Sequence, residues 1–326
     1  MDSIHSPTQP HHPQAAFGLL CGLGAYASWG VVPMYFKLLK HVPPMVVLAH
    51  RISWSILFLL IVIAAQHRWR EILATLRSGR TLLLLAASTT VLAINWFVFI
   101  WAMTNNQVIS ASLGYFINPL VAVMLGMIFL RERMRPAQTV AIVIATIAVA
   151  TIIVGERRVP VVALSLAFSF GTYGLLRKVA VVAPLVGLLI ETALLIPIAL
   201  PYAIAHAEPA HHLHTLALLA LSGIVTAVPL LWFAAAARRL RLSTLGFLQY
   251  LAPTCQFLLG RFLYGEPFSA IRLIGFSFVW VALLVFTVDS IRAYRLGKRA
   301  ALNEAAAMDT VVEAAPVAQL DRASDF

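Results

Sequence analysis

Three ionisable side chains lie within long apolar stretches of this sequence, His50 and Arg51 in one stretch and Glu191 in another. Placing such a group among hydrocarbon is costly, so it normally faces a polar interior, pairs with another charge or marks a path for solutes and protons. Neither Arg51 nor Glu191 has an evident partner within its own stretch. We therefore predict that all three residues line a path for a small molecule.

Each of these residues also has a purely structural interpretation. Arg51 could belong to a buried ion pair, His50 to a hydrogen bond between helices, and Glu191 to a pair with Arg177 or Lys178. At a rise of about 1.5 Å per residue, Arg51 would lie ~5 Å to one side of the centre of its helix and Glu191 ~4 Å to the other. This spacing favours two separate polar groups along one path over a direct salt bridge between Arg51 and Glu191.

Uncharged polar and aromatic residues of other apolar stretches extend this candidate path: Asn95, Trp96, Tyr115, Asn118, Gln249 and Tyr250. The aromatic members could equally belong to the core or to the aromatic belt at a membrane surface. Pro119 and Pro253 interrupt the hydrogen bonding of a helix backbone, so we predict hinges there. The amide of Asn118 could instead satisfy backbone groups that Pro119 leaves free.

The sequence carries no recognisable catalytic or cofactor motif. It has no Gly-rich phosphate loop, no HExxH, no Cys/His set with metal-ligand spacing and no arguable Ser/His/Asp set. We therefore predict a protein that is not an enzyme, with no catalytic residues, no metal site and no cofactor.

The composition places these residues in a membrane protein. Of 326 residues, 61% are apolar and 11% are charged, whereas soluble domains are about half apolar and a quarter charged. The net charge of +11 comes from small basic groups between the apolar stretches, which is typical of membrane topology signals and not of nucleic-acid binding.

Ten apolar stretches are long enough to be spanning helices, and the pattern has none of the alternation of a β-barrel. The segment 66–80 is amphipathic and basic and is predicted to lie along the membrane surface. The ten predicted spans cover residues 17–36, 44–65, 81–103, 108–130, 137–154, 161–178, 184–204, 215–236, 243–264 and 270–289.

The two halves of the chain repeat each other. Pro119 and Glu132, for example, recur 134 residues later as Pro253 and Glu266. Five spans per repeat force the halves into opposite orientations. We predict an all-α membrane protein of ten transmembrane helices in two inverted five-helix repeats, with a first repeat at 16–155, a second at 156–295, and disordered flanks at 1–15 and 296–326.

The loop charges predict the orientation. With the N-terminus inside, sixteen Lys and Arg residues collect on the inner side and at most six on the outer side. Positive charge is retained on the cytoplasmic side of membrane proteins. Both termini are therefore predicted to be cytoplasmic.

Several longer motifs resemble one known family, the RarD subfamily of EamA-type permeases in the drug/metabolite transporter superfamily. The resemblance runs from about residue 17 to 295, and its motifs include Tyr35–Leu38, His50-Arg51 with Trp54-Ser55, Asn95–Ala102, Ser112–Leu120, Ile190–Thr192 and Arg239–Phe247. It implies two tandem EamA repeats, ten helices and a permease of the bacterial inner membrane. It supplies no transported molecule and no list of binding residues.

These observations together predict a secondary active transporter that exports small drugs or metabolites across the inner membrane by alternating access. Its partners would be a small-molecule substrate, the lipid bilayer and, as a candidate coupling ion, the proton; nucleic acid is excluded and a homodimer is left open. One alternative is an organophosphate or metabolite exchanger of the same superfamily, which needs at least two cations in its cavity. The other is an integral membrane protein that transports nothing.

Overall fold

The computed structural model describes residues 12–131, 134–207, 212–237, 239–240 and 248–321. Every regular element within these ranges is helical. The helices are α1 (His12–Leu38), α2 (Pro44–Ala65), α3 (Trp69–Leu76), α4 (Gly79–Thr104), α5 (Val108–Leu130), α6 (Pro136–Glu156), α7 (Val161–Val179), α8 (Pro184–Ala205), α9 (Leu213–Ala237), α10 (Leu251–Leu258), which continues as a π-helical turn (Leu259–Leu263), and α11 (Ala270–Asp321).

Eight of the described helices are long and apolar enough to cross a membrane, namely α1, α2, α4, α5, α6, α8, α9 and α11. Helix α7 has only 19 residues and ends with Arg177 and Lys178. Helix α10 has eight residues before its π-helical turn. Both occupy places where the sequence predicts a span.

Helix ends agree closely with the predicted spans, and the differences lie at three places. The ninth predicted span, 243–264, begins outside the described residues, and regular helix starts at Leu251. Helix α11 continues through 296–321, and helix α1 already includes residues 12–15, although both regions were expected to be disordered. Alanine is the strongest helix former, which accounts for a helical backbone in the alanine-rich 296–321.

The predicted surface segment contains the short helix α3. Its large apolar residues Trp69, Leu73 and Leu76 are exposed, whereas Ile72 is buried against the bundle. Residues three and four apart share one side of a helix, so these exposed residues form a single apolar face. This face is consistent with a helix that lies along a membrane surface.

The main helix contacts all join a helix that lies before residue 157 to one that lies after residue 160. The pairs are α1 with α9 and α10, α2 with α8 and α9, α4 with α7 and α8, α5 with α7 and α10, and α6 with α11. The two parts of the chain are therefore interleaved rather than packed side by side.

Helix α6 packs along its length against the first part of α11. A face of small residues on α6, which includes Ala141, Ala145 and Ala148, is buried against α11, and such faces let two helix backbones approach closely. Arg135 Nε lies 2.5 Å from Asp289 Oδ2 at one end of the pair. At the other end the Arg272 guanidinium donates two hydrogen bonds, of 2.7 and 3.1 Å, to the Glu156 carboxylate. We call this arrangement the α6–α11 clasp.

Candidate functional site

Helix α2 places Arg51 inside the bundle with only 9% of its surface exposed. The guanidinium carbon lies 4.5 Å from the ring centre of Trp96 and 5.8 Å from that of Phe36. Arg51 Nε is buried without a hydrogen-bond partner. Among the described residues, no carboxylate lies within ion-pair distance of this cation.

Further aromatic rings continue this environment. The Phe99 ring packs edge-to-face with Phe36 and Tyr115, at centre distances of 6.0 and 5.8 Å. The hydroxyl groups of Tyr35 and Tyr115 are close enough to interact electrostatically with the guanidinium. We call Arg51, Trp96, Phe36, Tyr35 and Tyr115 the Arg51 site; three of these five residues, Arg51, Trp96 and Tyr115, were predicted together from the sequence.

Helix α8 places Glu191 in a second buried site, with 1% of its surface exposed. Ser88 Oγ donates a 2.5 Å hydrogen bond to Oε1, and the Tyr173 hydroxyl donates a 3.2 Å bond to Oε2. Arg177 Nη1 lies 3.7 Å from Oε1. We call these four residues the Glu191 site. The carboxylate is thus surrounded by donors and a cation of the protein itself.

Arg177 reaches this site because helix α8 has a glycine opposite it. A Cβ atom at Gly187 would lie 1.8 Å from Arg177 Nη1, so no other residue fits there without moving the arginine. Arg177 Nη2 also donates a 3.3 Å hydrogen bond to the Val182 carbonyl. The structure therefore selects Arg177 as the ion-pair partner of Glu191, a choice that the sequence left open.

The two charged residues occupy corresponding positions. Helices α2 and α8 each have 22 residues and begin at Pro44 and Pro184, and Arg51 and Glu191 are the eighth residue of each. The fourth residue of each helix is Val47 in α2 and Gly187 in α8, and Val47 is fully buried.

The polar neighbours correspond as well. Tyr35 lies five residues before Lys40, and Tyr173 lies five residues before Lys178. Ser222 lies beside the Tyr35 hydroxyl and follows Ser88 by 134 residues, which is the repeat offset. Tyr35 and Ser222 near Arg51 thus correspond to Tyr173 and Ser88 near Glu191. In this alignment the counterpart of Arg177 is Leu39, an apolar residue.

His50 lies on a different side of α2 from Arg51, because successive residues of a helix are about 100° apart. Its Nε2 atom is buried without a hydrogen-bond partner. His50 lines an open groove of about 420 Å³ between α2, α8 and α9, whose other lining residues are Ser53, Trp54, Leu57, Leu200, Ala203, Ile204, Ala207 and Leu216. The structure therefore places His50 at a separate, mostly apolar surface and not in the Arg51 site.

Asn95 is engaged between helices. Its Nδ2 atom donates hydrogen bonds to the Leu166 carbonyl at 3.2 Å and to Ser169 Oγ at 2.9 Å, both on α7. On α5, Asn118 lies one turn after Tyr115, and its Oδ1 atom is buried without a partner. Asn95 thus serves helix packing, while Asn118 keeps an acceptor free.

Gln249 and Tyr250 do not join the Arg51 site. They lie in the turn just before α10, and Tyr250 packs with the apolar cluster of α5, α6 and α11, whereas Trp96 and Phe36 belong to another cluster. The Tyr250 hydroxyl is buried without a partner. Pro119 lies inside α5 and Pro253 inside α10, and their role as hinges stays a prediction.

One functional contact was missed from the sequence. The Glu266 carboxylate accepts hydrogen bonds from the backbone N–H groups of Val108 and Ile109, at 2.8 and 2.9 Å, and so caps helix α5. Nearby, Lys37 Nζ donates a 2.6 Å hydrogen bond to Asn106 and lies 3.9 Å from the ring centre of Tyr264. The sequence repeat that relates Glu132 to Glu266 draws attention to this carboxylate, but it does not predict which groups the carboxylate contacts. We call this end of the bundle the Lys37 end.

The described residues contain no group of three or more His, Cys, Asp or Glu side chains that could hold a metal ion. Among the described residues, the Arg51 site therefore presents a cation beside aromatic rings without a counter-ion. The Glu191 site presents a carboxylate with two hydrogen-bond donors and a nearby cation.

Comparisons with known proteins decide the family. Residues 16–154 match the EamA-like transporter family. A protein RarD of Salmonella typhimurium is 44% identical over 288 residues, which cover 86% of this chain and 98% of the relative. The chain belongs to the RarD subfamily of EamA-type transporters. An uncharacterized transporter of Bacillus subtilis, YojE, is 42% identical over 294 residues, which cover 88% of this chain and 99% of the relative.

A solved structure with 19% sequence identity superposes with a TM-score of 0.55 over 84% of this chain and 97% of the other, which shows a shared fold. The family membership expected from the motifs is confirmed. The chain is thus a multi-pass membrane transporter of the bacterial inner membrane, and a transporter of this family implies a small-molecule substrate.

Proposed function

We propose that the protein is a secondary active transporter that exports small drugs or metabolites by alternating access. The observation that carries this proposal is the pair of corresponding buried sites, one around Arg51 and one around Glu191. A transporter of two related halves has its substrate and coupling groups at the interface of the repeats, and both sites lie on helices that contact the other half of the chain.

The helix contacts support two repeats of five spans each. Each spanning helix of one proposed repeat can be matched with a helix of the other: α1 with α7, α2 with α8, α4 with α9, α5 with α10 and α6 with α11. If every helix is replaced by its match, the main helix pairs give the same set of pairs again. For example, the pair α1–α9 becomes α7–α4, and both pairs are present. We propose that α7 and α10 cross the membrane with the other eight, giving repeats at 16–155 and 156–295.

We propose that the Lys37 end faces outward and that both termini are cytoplasmic, because most Lys and Arg residues of the loops then lie inside. Cysteine labelling tests this orientation. Ser3→Cys and Asn303→Cys should not react with an impermeant maleimide in intact cells and should react after lysis. Reaction at either position in intact cells would overturn the orientation.

The capped end of α5 supports alternating access. Glu266 follows α10 and holds the first N–H groups of α5, so this contact joins the two proposed halves at the Lys37 end. Opening that end would expose two backbone donors and a buried carboxylate. We propose that the described conformation is closed to the outside and that the contact breaks when the transporter opens outward.

Energy for export would come from the proton gradient or from exchange. Glu191 is the candidate proton carrier, since it is the buried carboxylate at the position that corresponds to Arg51. Its two hydrogen-bond donors and Arg177 favour the ionised form, whereas its burial favours the protonated form. A proton would therefore bind when Arg177 moves away during the transport cycle.

Exchange of an organophosphate dianion is less well supported. It needs two cations around one phosphate, and the half-buried Arg177 is engaged by Glu191. The alternative of a protein that transports nothing gives no reason for an unpaired buried cation such as Arg51.

Flux in proteoliposomes tests the proposed function. The purified protein is reconstituted with a pH-sensitive dye inside, and a panel of drugs and metabolites is added under an imposed pH gradient. A transporter coupled to protons changes the internal pH when its substrate is present. An exchanger leaves the pH unchanged and is detected instead by uptake of radiolabelled solute that requires solute on both sides. The exposed-surface variant Glu71→Gln, on α3, serves as the matched control and should behave like the parent. Absence of flux for every solute under every gradient would overturn the proposal.

A further inference from the structure

We infer that the Arg51 site binds the anionic group of a monoanionic organic molecule with an aromatic or apolar body, a carboxylate above all. The inference rests on the proposed transport function and names the chemical class of its substrate. Its basis is a buried cation whose Nε donor has no hydrogen-bond partner among the described residues.

The first step concerns charge. Three carboxylates of the described helices have a counter-ion: Glu191 has Arg177, Glu156 has Arg272, and Asp289 has Arg135. Arg51 is more buried than most of them, and among the described residues it has only aromatic rings as close partners. A buried charge without a partner is strongly disfavoured, so an anion that binds beside Arg51 would remove this cost.

The second step concerns geometry. Trp96 and Phe36 cover the guanidinium by contact between the cation and the ring faces. Such contacts use the flat faces of an arginine and leave its N–H groups, which point outward in the plane, available. These N–H groups form a fork that matches the two oxygens of a carboxylate. The site is therefore preorganised for a planar anion.

The third step concerns the rest of the molecule. The Phe99 and Tyr115 rings continue the aromatic surface beyond Phe36, which suits an aromatic or apolar body. One turn further along α5, the buried Oδ1 of Asn118 has no donor, so it suits an N–H or O–H group of the solute. A single unpaired arginine suits a single negative charge.

Binding of matched acids and amides tests the inference. Isothermal titration calorimetry on the purified full chain would compare phenylacetate with its neutral analogue phenylacetamide, acetate as an anion without a body, and phenyl phosphate as a dianion. We expect phenylacetate to bind at least tenfold more tightly than each of the other three. Equal binding of the acid and the amide, or no binding of phenylacetate, would overturn the inference.

Variants locate the bound anion. Arg51→Gln should weaken phenylacetate binding by about tenfold or more, which corresponds to about 1.4 kcal/mol, and should leave phenylacetamide unaffected. Arg51→Lys keeps the charge without the fork, so its loss should be smaller. Glu71→Gln should bind like the parent. If Arg51→Gln does not fold, phenylacetate binding to Arg51→Lys and to Trp96→Leu, which removes one aromatic ring beside the guanidinium, tests the site instead. Unchanged phenylacetate binding in the folded variants would place the anion elsewhere and overturn the inference.

The flux assay separates this inference from the transport function. Flux of neutral or cationic solutes without any binding of phenylacetate would overturn the anion site and leave the transporter intact. Tight binding of phenylacetate that depends on Arg51, together with no flux of any solute, would support the anion site and overturn the transport function.

Discussion

The Arg51 site and the Glu191 site occupy corresponding positions in the two halves of the chain, but only Glu191 has a counter-ion among the described residues. Each presents an ion from the eighth residue of a 22-residue helix, with a tyrosine and a serine nearby. The carboxylate of Glu191 is satisfied by Ser88, Tyr173 and Arg177. The guanidinium of Arg51 has aromatic rings and no counter-ion among the described residues.

The difference arises from two side chains. Where the Glu191 site has Gly187 and Arg177, the corresponding positions of the Arg51 site hold Val47 and Leu39, both fully buried. A glycine admits a long charged side chain, whereas valine and leucine fill the same space with apolar atoms. One half of the molecule therefore supplies its own counter-ion, and the other half has apolar side chains at the corresponding positions.

The largest expected effect on stability separates the two arginines. Arg177→Met leaves the buried Glu191 without its cation and should lower the free energy of unfolding by about 3–5 kcal/mol. Arg51→Met should change it by no more than about 1 kcal/mol, because the lost ring contacts are offset by removal of an unpaired charge. Unfolding titrations in detergent measure both values. The joint variant Arg177→Met with Glu191→Gln should recover part of the loss, and equal losses for the two single variants would contradict the comparison.

Arg51 should matter much more for transport than for stability. Arg51→Gln should reduce flux about 100-fold, in line with the loss of charged hydrogen bonds, with a melting temperature near that of the parent. Glu191→Gln should also abolish coupled flux, and the dependence of flux on pH seen in the parent should disappear. Proteoliposome flux measured at several pH values checks this. Retention of pH dependence in Glu191→Gln would exclude the carboxylate as the proton carrier.

A smaller effect is expected from filling the space beside Arg177. Gly187→Ala places a methyl group on the guanidinium and should cost about 1–3 kcal/mol, as overpacking does. In the Arg177→Met background, which has a more adaptable side chain, the same change should cost less than half as much. Thermal unfolding of the four proteins in this cycle measures the difference. Additive losses would show that the glycine serves something other than the arginine.

The smallest contrast concerns the serines. Ser88→Ala removes a hydrogen bond to a charged group, worth about 1.5–3 kcal/mol, and leaves the Glu191 carboxylate one donor short. Ser222→Ala removes a hydroxyl that donates to the Leu219 carbonyl at 2.5 Å, a neutral bond worth about 0.5–1.5 kcal/mol. Unfolding free energies of the two alanine variants give the comparison, and a larger loss for Ser222→Ala would reverse it.

The sequence predicts the helices well because their signals are local. Pro44 and Pro184 mark where α2 and α8 begin, and apolar stretches of about 20 residues define most of the others. The end of α11 was predicted less well, since the alanine-rich 296–321 has high helix propensity but no apolar face that must be buried.

The site was only partly predictable because its partners depend on helix rotation and on neighbours far along the chain. Arg177 and Lys178 are adjacent in sequence, and only the rotation of α7 within the bundle selects Arg177 for Glu191. Tyr173 and Phe36 gave no separate signal, because an aromatic residue in an apolar stretch is usually part of the core. Asn95 was predicted on the path, but its position against α7 commits its amide to packing.

The α6–α11 clasp has a consequence for how the protein is made. Arg135 and its partner Asp289 are 154 residues apart, so at a translation rate of about 5–20 residues per second α11 leaves the ribosome roughly 8–30 s after α6. During that time the small-residue face of α6 lacks its α11 partner. Synthesis of α11 therefore completes the pairing, and a ribosome that stalls before α11 leaves the small-residue face of α6 unpaired.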